Sequence, residues 1–244
     1  MTLIEHLEEL RTRLFIALAA WVVAAGVAFA FRFRLLDWLK EPLPSGLTLN
    51  AFGVLEPFLV SMQIAAFFGL VLAAPVIGAQ VWGFIAPGLY DEEKRWSVPF
   101  VASTALAFAL GVLFARYVVL PFALPILLGF LGTEATVLLS IGDYMTKLLL
   151  YMAVFGILFE MPVLSFLFAR LGFIRAPMLR TYRRYAVVGG CIAAAVITPT
   201  GDPFNFALVA GPLVVLYEVS IVVVRFSQRK VDYAGEDSEL TSPN

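Results

Sequence analysis

Residues 58–86 read FLVSMQIAAFFGLVLAAPVIGAQVWGFIA and contain no Asp, Glu, Lys or Arg. At about 1.5 Å per helical residue the run reaches ~43 Å, more than the ~30 Å of hydrocarbon a transmembrane helix has to cross. A helix that long in water would need a polar face, and this one has none. It is therefore a membrane span, long enough to tilt and interrupted by Pro75. Similar apolar runs occupy residues 14–31, 96–115, 148–169, 185–197 and 204–224, making six in all. The fourth contains one charge, Glu160, and the sixth carries Pro212 and Glu218. The fifth, at about 20 Å, is short for a full crossing.

Composition agrees. The 244 residues are 61% hydrophobic and 14% charged, with a mean hydropathy of +0.91. A soluble domain has roughly 45–50% apolar and about 25% charged residues. A net charge of −1 excludes a bulk positive field for nucleic acid. One Cys (Cys191) and one His (His6) exclude a disulfide framework and a zinc site. Cys191, in a Gly/Ala-rich run, reads as a small packing residue. Residues 1–13 hold three Glu, two Arg and a His with no cleavage pattern, so the N-terminus is expected to be retained.

Residues 117–132 are also apolar, but Pro121 and Pro125 lie inside them, which predicts a broken helix at the outer interface. Together with the first outer loop this stretch forms an outer-face cap. Charge gives the orientation. With both termini in the cytoplasm, the inner segments carry Arg11, Arg13, Lys94, Arg95, Arg170, Arg175, Arg180, Arg183, Arg184, Arg225, Arg229 and Lys230. The outer ones carry only Arg32, Arg34, Lys40, Arg116 and Lys147. That asymmetry is what the positive-inside rule demands. A seventh span at 117–132 would expose the loop from Arg170 to Arg184 outside. The expected fold is an all-α polytopic membrane protein with six transmembrane helices and both termini inside. Residues 1–226 form its single domain, and the polar, aperiodic residues 227–244 form a disordered cytoplasmic tail. No internal repeat relates the two halves, which weighs against an inverted-repeat transporter.

Three places hold chemistry. In the N-terminal segment, Leu3, Leu7, Leu10 and Leu14 form one stripe that suits the headgroup region, and Thr2 and Glu5 stand at capping-box spacing. Read blandly, it is a surface helix with an ordinary Glu9–Arg13 pair. In the first inner loop an aromatic stretch, Gln80-Val81-Trp82-Gly83-Phe84, leads through Pro87-Gly88-Leu89-Tyr90 to Asp91-Glu92-Glu93. Capping of the next helix explains acids at that position but hardly three of them. Glu160, Glu218 and Asp202 lie at or near membrane depth, where an ionisable group is a functional candidate by default. Glu160 is the deepest. Its alternatives are a functional role or a structural pair, and Asp202 in Thr198-Pro199-Thr200-Gly201-Asp202-Pro203 also suits an ordinary turn. Protease, hydrolase and nucleotide-binding signatures are missing, so ATP-driven or hydrolytic chemistry is disfavoured.

Four motifs, His6 to Leu14, Gln80 to Tyr90 with Glu93, Phe159-Glu160-Met161-Pro162, and Thr198-Pro199 with Asp202, resemble the TatC family of the twin-arginine protein translocase. The similarity covers nearly all of residues 3–226. It implies a non-enzymatic receptor in the bacterial plasma membrane that needs no cofactor and works with the proton motive force. Its implied partners are twin-arginine signal peptides of folded cargo, single-span TatA and TatB type subunits, membrane lipid and further copies of itself in the receptor complex. It assigns signal-peptide binding to Glu9, Arg11, Phe84, Leu89 and Glu93. Transport or partner contact falls to Pro42, Gln80, Glu160, Thr198, Asp202, Asn205 and Glu218. Two carboxylates facing two guanidiniums would explain a paired-arginine requirement, since the Arg fork pairs bidentately and the Lys ammonium is a hydrated point charge. The chain departs from the family after Asp202, where Asn205-Phe206 replaces a Ser-Gln or Thr-Gln pair. The short fifth and sixth helices would dock the single-span partners and thin the bilayer locally. The competing readings are a proton-coupled secondary transporter using Glu160 and, less well supported, an intramembrane hydrolase.

Overall fold

The computed structural model describes residues 3–44, 46–85, 97–129, 138–197 and 203–227. Backbone amides have no water to bond in a hydrocarbon core, so apolar sequence of this length satisfies them internally as helix. The first helix, α1, runs Leu3–Ala30 and is followed by α2, Arg32–Lys40. A strand β1, Leu49–Asn50, precedes α3, Glu56–Ile85. Then come α4, Ser97–Phe114, a π-helical turn at Ala115–Val119, and α5, Leu120–Leu128. Strand β2, Leu139–Ser140, leads into α6, Ile141–Phe159, and α7, Met161–Arg170. A short α8, Ala176–Thr181, joins α9, Arg183–Ile197, and α10, Pro203–Ser227.

Among the described residues, five stretches are long and apolar enough to cross a membrane: Ile4–Ala30, Glu56–Ile85, Ser97–Ile126, Ile141–Arg170 and Pro203–Ser227. Helix α9 has 15 residues, or about 22 Å, and falls short of a ~30 Å core. Two outcomes depart from simple expectation. The amphipathic N-terminal segment continues into the first span as one helix of 28 residues. The proline-bearing stretch after Ala115 also stays helical. The Pro121 ring has no N–H to give the carbonyl four residues back, and the chain absorbs this by widening the turn before it, where the Leu120 N–H reaches the Ala115 carbonyl.

Helix α1 packs along α3, which packs on α4 and α6; α4 packs on α6, and α7 and α9 pack on α10. The core is Ile64 and Phe67 of α3, Phe108 and Val112 of α4, Met145, Leu148, Met152 and Phe155 of α6, and Val209 and Leu213 of α10. Small residues set the crossings. A β-carbon on Gly69 would lie 2.6 Å from the Ala25 Cα, and one on Gly111 would lie 2.8 Å from the Gly156 Cα. Leu14, Val23, Leu106, Ile157, Val196 and Phe226 face outward, where lipid would be their solvent.

The described parts of the segments preceding α3 and α6 meet at one end of the bundle, the strand end. Strands β1 and β2 pair in parallel, Leu49 with Leu139 and Asn50 with Ser140. The Glu56 carboxylate gathers both segments. It accepts from the Phe52 N–H at 2.7 Å, the Gly53 N–H at 3.1 Å, the Gly142 N–H at 2.8 Å and the Ser140 hydroxyl. Arg116, 3% exposed, donates to the Trp38 carbonyl at 2.7 and 3.2 Å and to Glu41 at 2.8 Å. At the opposite end Trp82, Phe100 and Leu167 form a second cluster, and the Tyr217 hydroxyl donates to the Leu179 carbonyl at 2.7 Å. The start of α1 and the end of α10 both lie at this opposite end.

Candidate functional site

The first turns of α1 lie against the last turns of α3 and leave an open cleft of about 490 Å³, lined by Ile16 and by six polar or charged residues, Glu5, Glu8, Glu9, Thr12, Arg13 and Gln80. Residues 5, 8, 9 and 12 share a face because a helix repeats every 3.6 residues, so the sequence pattern itself puts three carboxylates on one wall. Arg13 is the one guanidinium among these six residues, so the cleft is negative.

Glu9 and Arg13 form the centre. Arg13 donates through Nε at 3.0 Å and Nη2 at 2.6 Å, both to Oε1 of Glu9. The other carboxylate oxygen, Oε2, is closed off from solvent and has no hydrogen bond among the described residues; the His6 Nδ1 lies 3.9 Å from it. The His6 ring stacks on Phe84, with centroids 4.3 Å apart and planes 17° from parallel. Gly83 supplies the seat for Arg13, because a β-carbon there would collide with the guanidinium. The geometry thus offers a part-buried carboxylate beside the His6–Phe84 stack, suited to a cation with directional N–H donors.

Of the residues expected to bind a signal, Glu9 and Phe84 come together here, joined by Gln80. Arg11 does not: two residues on from Glu9 it lies about 200° around the helix, and it is exposed. Leu89 and Glu93 lie outside the described residues, as do Thr198 and Asp202. The remaining candidates are dispersed. Pro42 follows α2 at the strand end, next to the Arg116–Glu41 pair. Glu160 separates α6 from α7, where Pro162 interrupts the backbone ladder; its N–H turns back to Ile157 at 3.1 Å, and its Oε1 is buried with no hydrogen bond among the described residues. Asn205, 1% exposed, sits in the first turn of α10. Glu218 pairs with Arg183 at 2.5 Å, tying α10 to α9. With both side chains part-exposed the pair stabilises by at most about 1 kcal/mol.

Sequence reasoning passed over Arg116, Glu56 and the stacking of His6 on Phe84. Arg116 carried a signal, an isolated Arg inside an otherwise apolar stretch. Glu56 stood just before Pro57 at the head of a span, where an acid suits the helix dipole.

The chain matches the family model "Sec-independent protein translocase protein (TatC)" over residues 5–212. It is 40% identical to the TatC protein of Deinococcus radiodurans, over 91% of this chain and 85% of that protein. The Campylobacter jejuni TatC is 40% identical over 96% of each chain. A crystal structure described as the twin-arginine translocase receptor TatC superposes with a TM-score of 0.79 at 36% identity, covering 92% of this chain and all of that one. A second, in the detergent DDM, gives 0.80 at 38% identity, over 90% and 99%. Nothing in these comparisons supports a small-substrate transporter. Agreement over nearly the whole length, in both sequence and fold, means that the chain belongs to the TatC family of Sec-independent protein translocases, a non-enzymatic family of the bacterial inner membrane.

Proposed function

We propose that the chain is the receptor and core subunit of a twin-arginine translocase, binding the paired arginines of a signal peptide at the cleft between α1 and α3. The observation that carries the reading is the Glu9 carboxylate, held in a negative cleft beside Phe84 and Gln80. A charged hydrogen bond is worth roughly 1.5–3 kcal/mol when shielded, against about 0–1 for an exposed pair. The partial burial of Glu9 therefore decides whether recognition is tight. Glu93 is the proposed second carboxylate, as the family resemblance implies. Arg11, which faces away from the cleft, is assigned to the rim, near the headgroups.

In this reading the end carrying the cleft and α8 is cytoplasmic, the strand end faces outward, and α9 completes a six-span bundle as a short crossing. Residues 227–244 serve as a polar cytoplasmic tail. TatA and TatB type subunits dock near α9 and α10, where Asn205, Glu218, Thr198 and Asp202 reside; further copies of the chain join the receptor complex, and the proton motive force drives the passage of folded cargo. Pro42 supports signal insertion from the outer loop.

The test is a detergent pulldown with a signal peptide bearing Arg-Arg or Lys-Lys. Retention of Arg-Arg only, lost when Glu9 and Glu93 are both changed to Ala in a chain that still inserts, supports the receptor. Equal capture of both peptides, or undiminished capture by the double variant, removes these carboxylates from the site.

A further inference from the structure

We infer that Arg13 is a resident competitor for Glu9, and that displacing it is what makes the cleft choose arginine over lysine. The inference rests on the signal-binding reading above and specifies how that site discriminates.

Arg13 already neutralises Glu9, using two donors on one oxygen, at 3.0 and 2.6 Å. Glu9 and Arg13 are only 19% and 28% exposed, so the pair is partly shielded from water. The second oxygen is closed off from solvent, with Nδ1 of His6 3.9 Å away on a ring that stacks on Phe84. A bidentate fork from an incoming guanidinium needs both carboxylate oxygens. It therefore has to swing Arg13 off Oε1 and open a path to Oε2. Arg13 is tethered four residues from its acceptor, so it competes at a high and constant effective concentration. An incoming Arg replaces what is lost with a fork of its own. An incoming Lys offers a compact, strongly hydrated ammonium in exchange for a two-donor guanidinium contact and loses the competition.

Gly83 is the second, independent observation. Helix α3 lacks a β-carbon at Gly83, where the Arg13 head lies against it; a β-carbon there would come within 2.7 Å of Cζ. The seat accommodates Arg13 in its paired position. The alternative is that Arg13 is a strut whose only task is to aim Glu9.

The two roles predict opposite signs. The full chain in lipid nanodiscs would be titrated with fluorescently labelled Arg-Arg and Lys-Lys signal peptides, read by anisotropy, for wild type, Arg13→Gln, Arg13→Lys, Gly83→Ala and Glu9→Gln. Competition predicts that Arg13→Gln tightens both peptides, the Lys-Lys one more, so that the preference for Arg-Arg falls by at least roughly threefold. Arg13→Lys, tethered but with one point donor, falls between. Gly83→Ala unseats the guanidinium without removing its charge and lowers the preference in the same direction. This keeps the inference testable should Arg13→Gln fail to elute as a monodisperse protein. Weaker Arg-Arg binding with Arg13→Gln, or an unchanged preference in the variants that fold, overturns it. Glu9→Gln separates the two levels: if it binds Arg-Arg like wild type, the assignment of the cleft fails, whatever Arg13 does.

Discussion

Replacing Arg116 with Met should loosen the strand end far more than its one ion pair suggests. The guanidinium is 3% exposed and puts two N–H groups on the Trp38 carbonyl, at 2.7 and 3.2 Å. Met keeps most of the stem volume but leaves that carbonyl without its charged donors, a loss of roughly 1.5–3 kcal/mol. The head also lies 5.0 Å from the Trp38 ring and 5.1 Å from the Tyr117 ring, adding about 0.5–1 kcal/mol. Glu41 is 63% exposed, so its pairing with Arg116 adds at most about 1 kcal/mol. Against these stands the relief of no longer burying a charge, leaving a net loss of about 2–4 kcal/mol. At about 2–4 °C per kcal/mol for a chain of this size, Tm should fall by about 5–15 °C. Fluorescence-detected size-exclusion chromatography after heating reads this directly, with Glu41→Gln as companion. A fall for Arg116→Met no larger than that for Glu41→Gln would show that the carbonyl contacts contribute nothing.

The other predictions concern the membrane-embedded acid and the helix crossings. Glu160→Ala should reduce export of a folded reporter while leaving signal-peptide capture near wild type, because Glu160 lies apart from the cleft at the junction of α6 and α7; normal export would relegate it to packing. Gly111→Ala should destabilise the bundle by about 1–3 kcal/mol, since the added methyl would meet the backbone of Phe155 and Gly156. Gly26→Ala meets nothing within 4 Å and should be neutral or stabilising by up to about 1 kcal/mol. Equal thermal shifts for these two would refute the close-crossing argument.

The spans were legible because lipid imposes one rule that leaves a long trace, the exclusion of Asp, Glu, Lys and Arg from residues such as 58–86. Glu160 was legible for the same reason in reverse. The strand end was not. Arg116 meets Trp38 and Glu41 across 78 and 75 residues, and Glu56 meets Gly142 across 86. Contacts of one carboxylate or guanidinium with distant backbone groups leave no periodicity to read. Pro121 and Pro125 were visible, and the expected break at that point became a widened turn because α4 continues into α5. In the cleft, Glu9, Phe84 and Gln80 came from motif resemblance, while Arg13 had been read only as an ordinary i,i+4 pair. Its seat on Gly83 depends on how α1 and α3 approach each other, which neither segment encodes alone.

The gathering of both strand-end segments onto Glu56 has a mechanical consequence. Main-chain amides gathered on Glu56 tie one end of the bundle, while the far end is held by side-chain packing around Trp82, Phe100 and Leu167 and by the Tyr217–Leu179 hydrogen bond. Were the bundle to hinge at that node, travel would grow in proportion to distance from it. Helix α3 has 30 residues, so its far tip stands about 45 Å from the pivot, and a tilt of only ~5° carries that tip ~4 Å. A hinge of α3 by that angle would change the gap between α1 and α3 at its far tip by the thickness of a side chain.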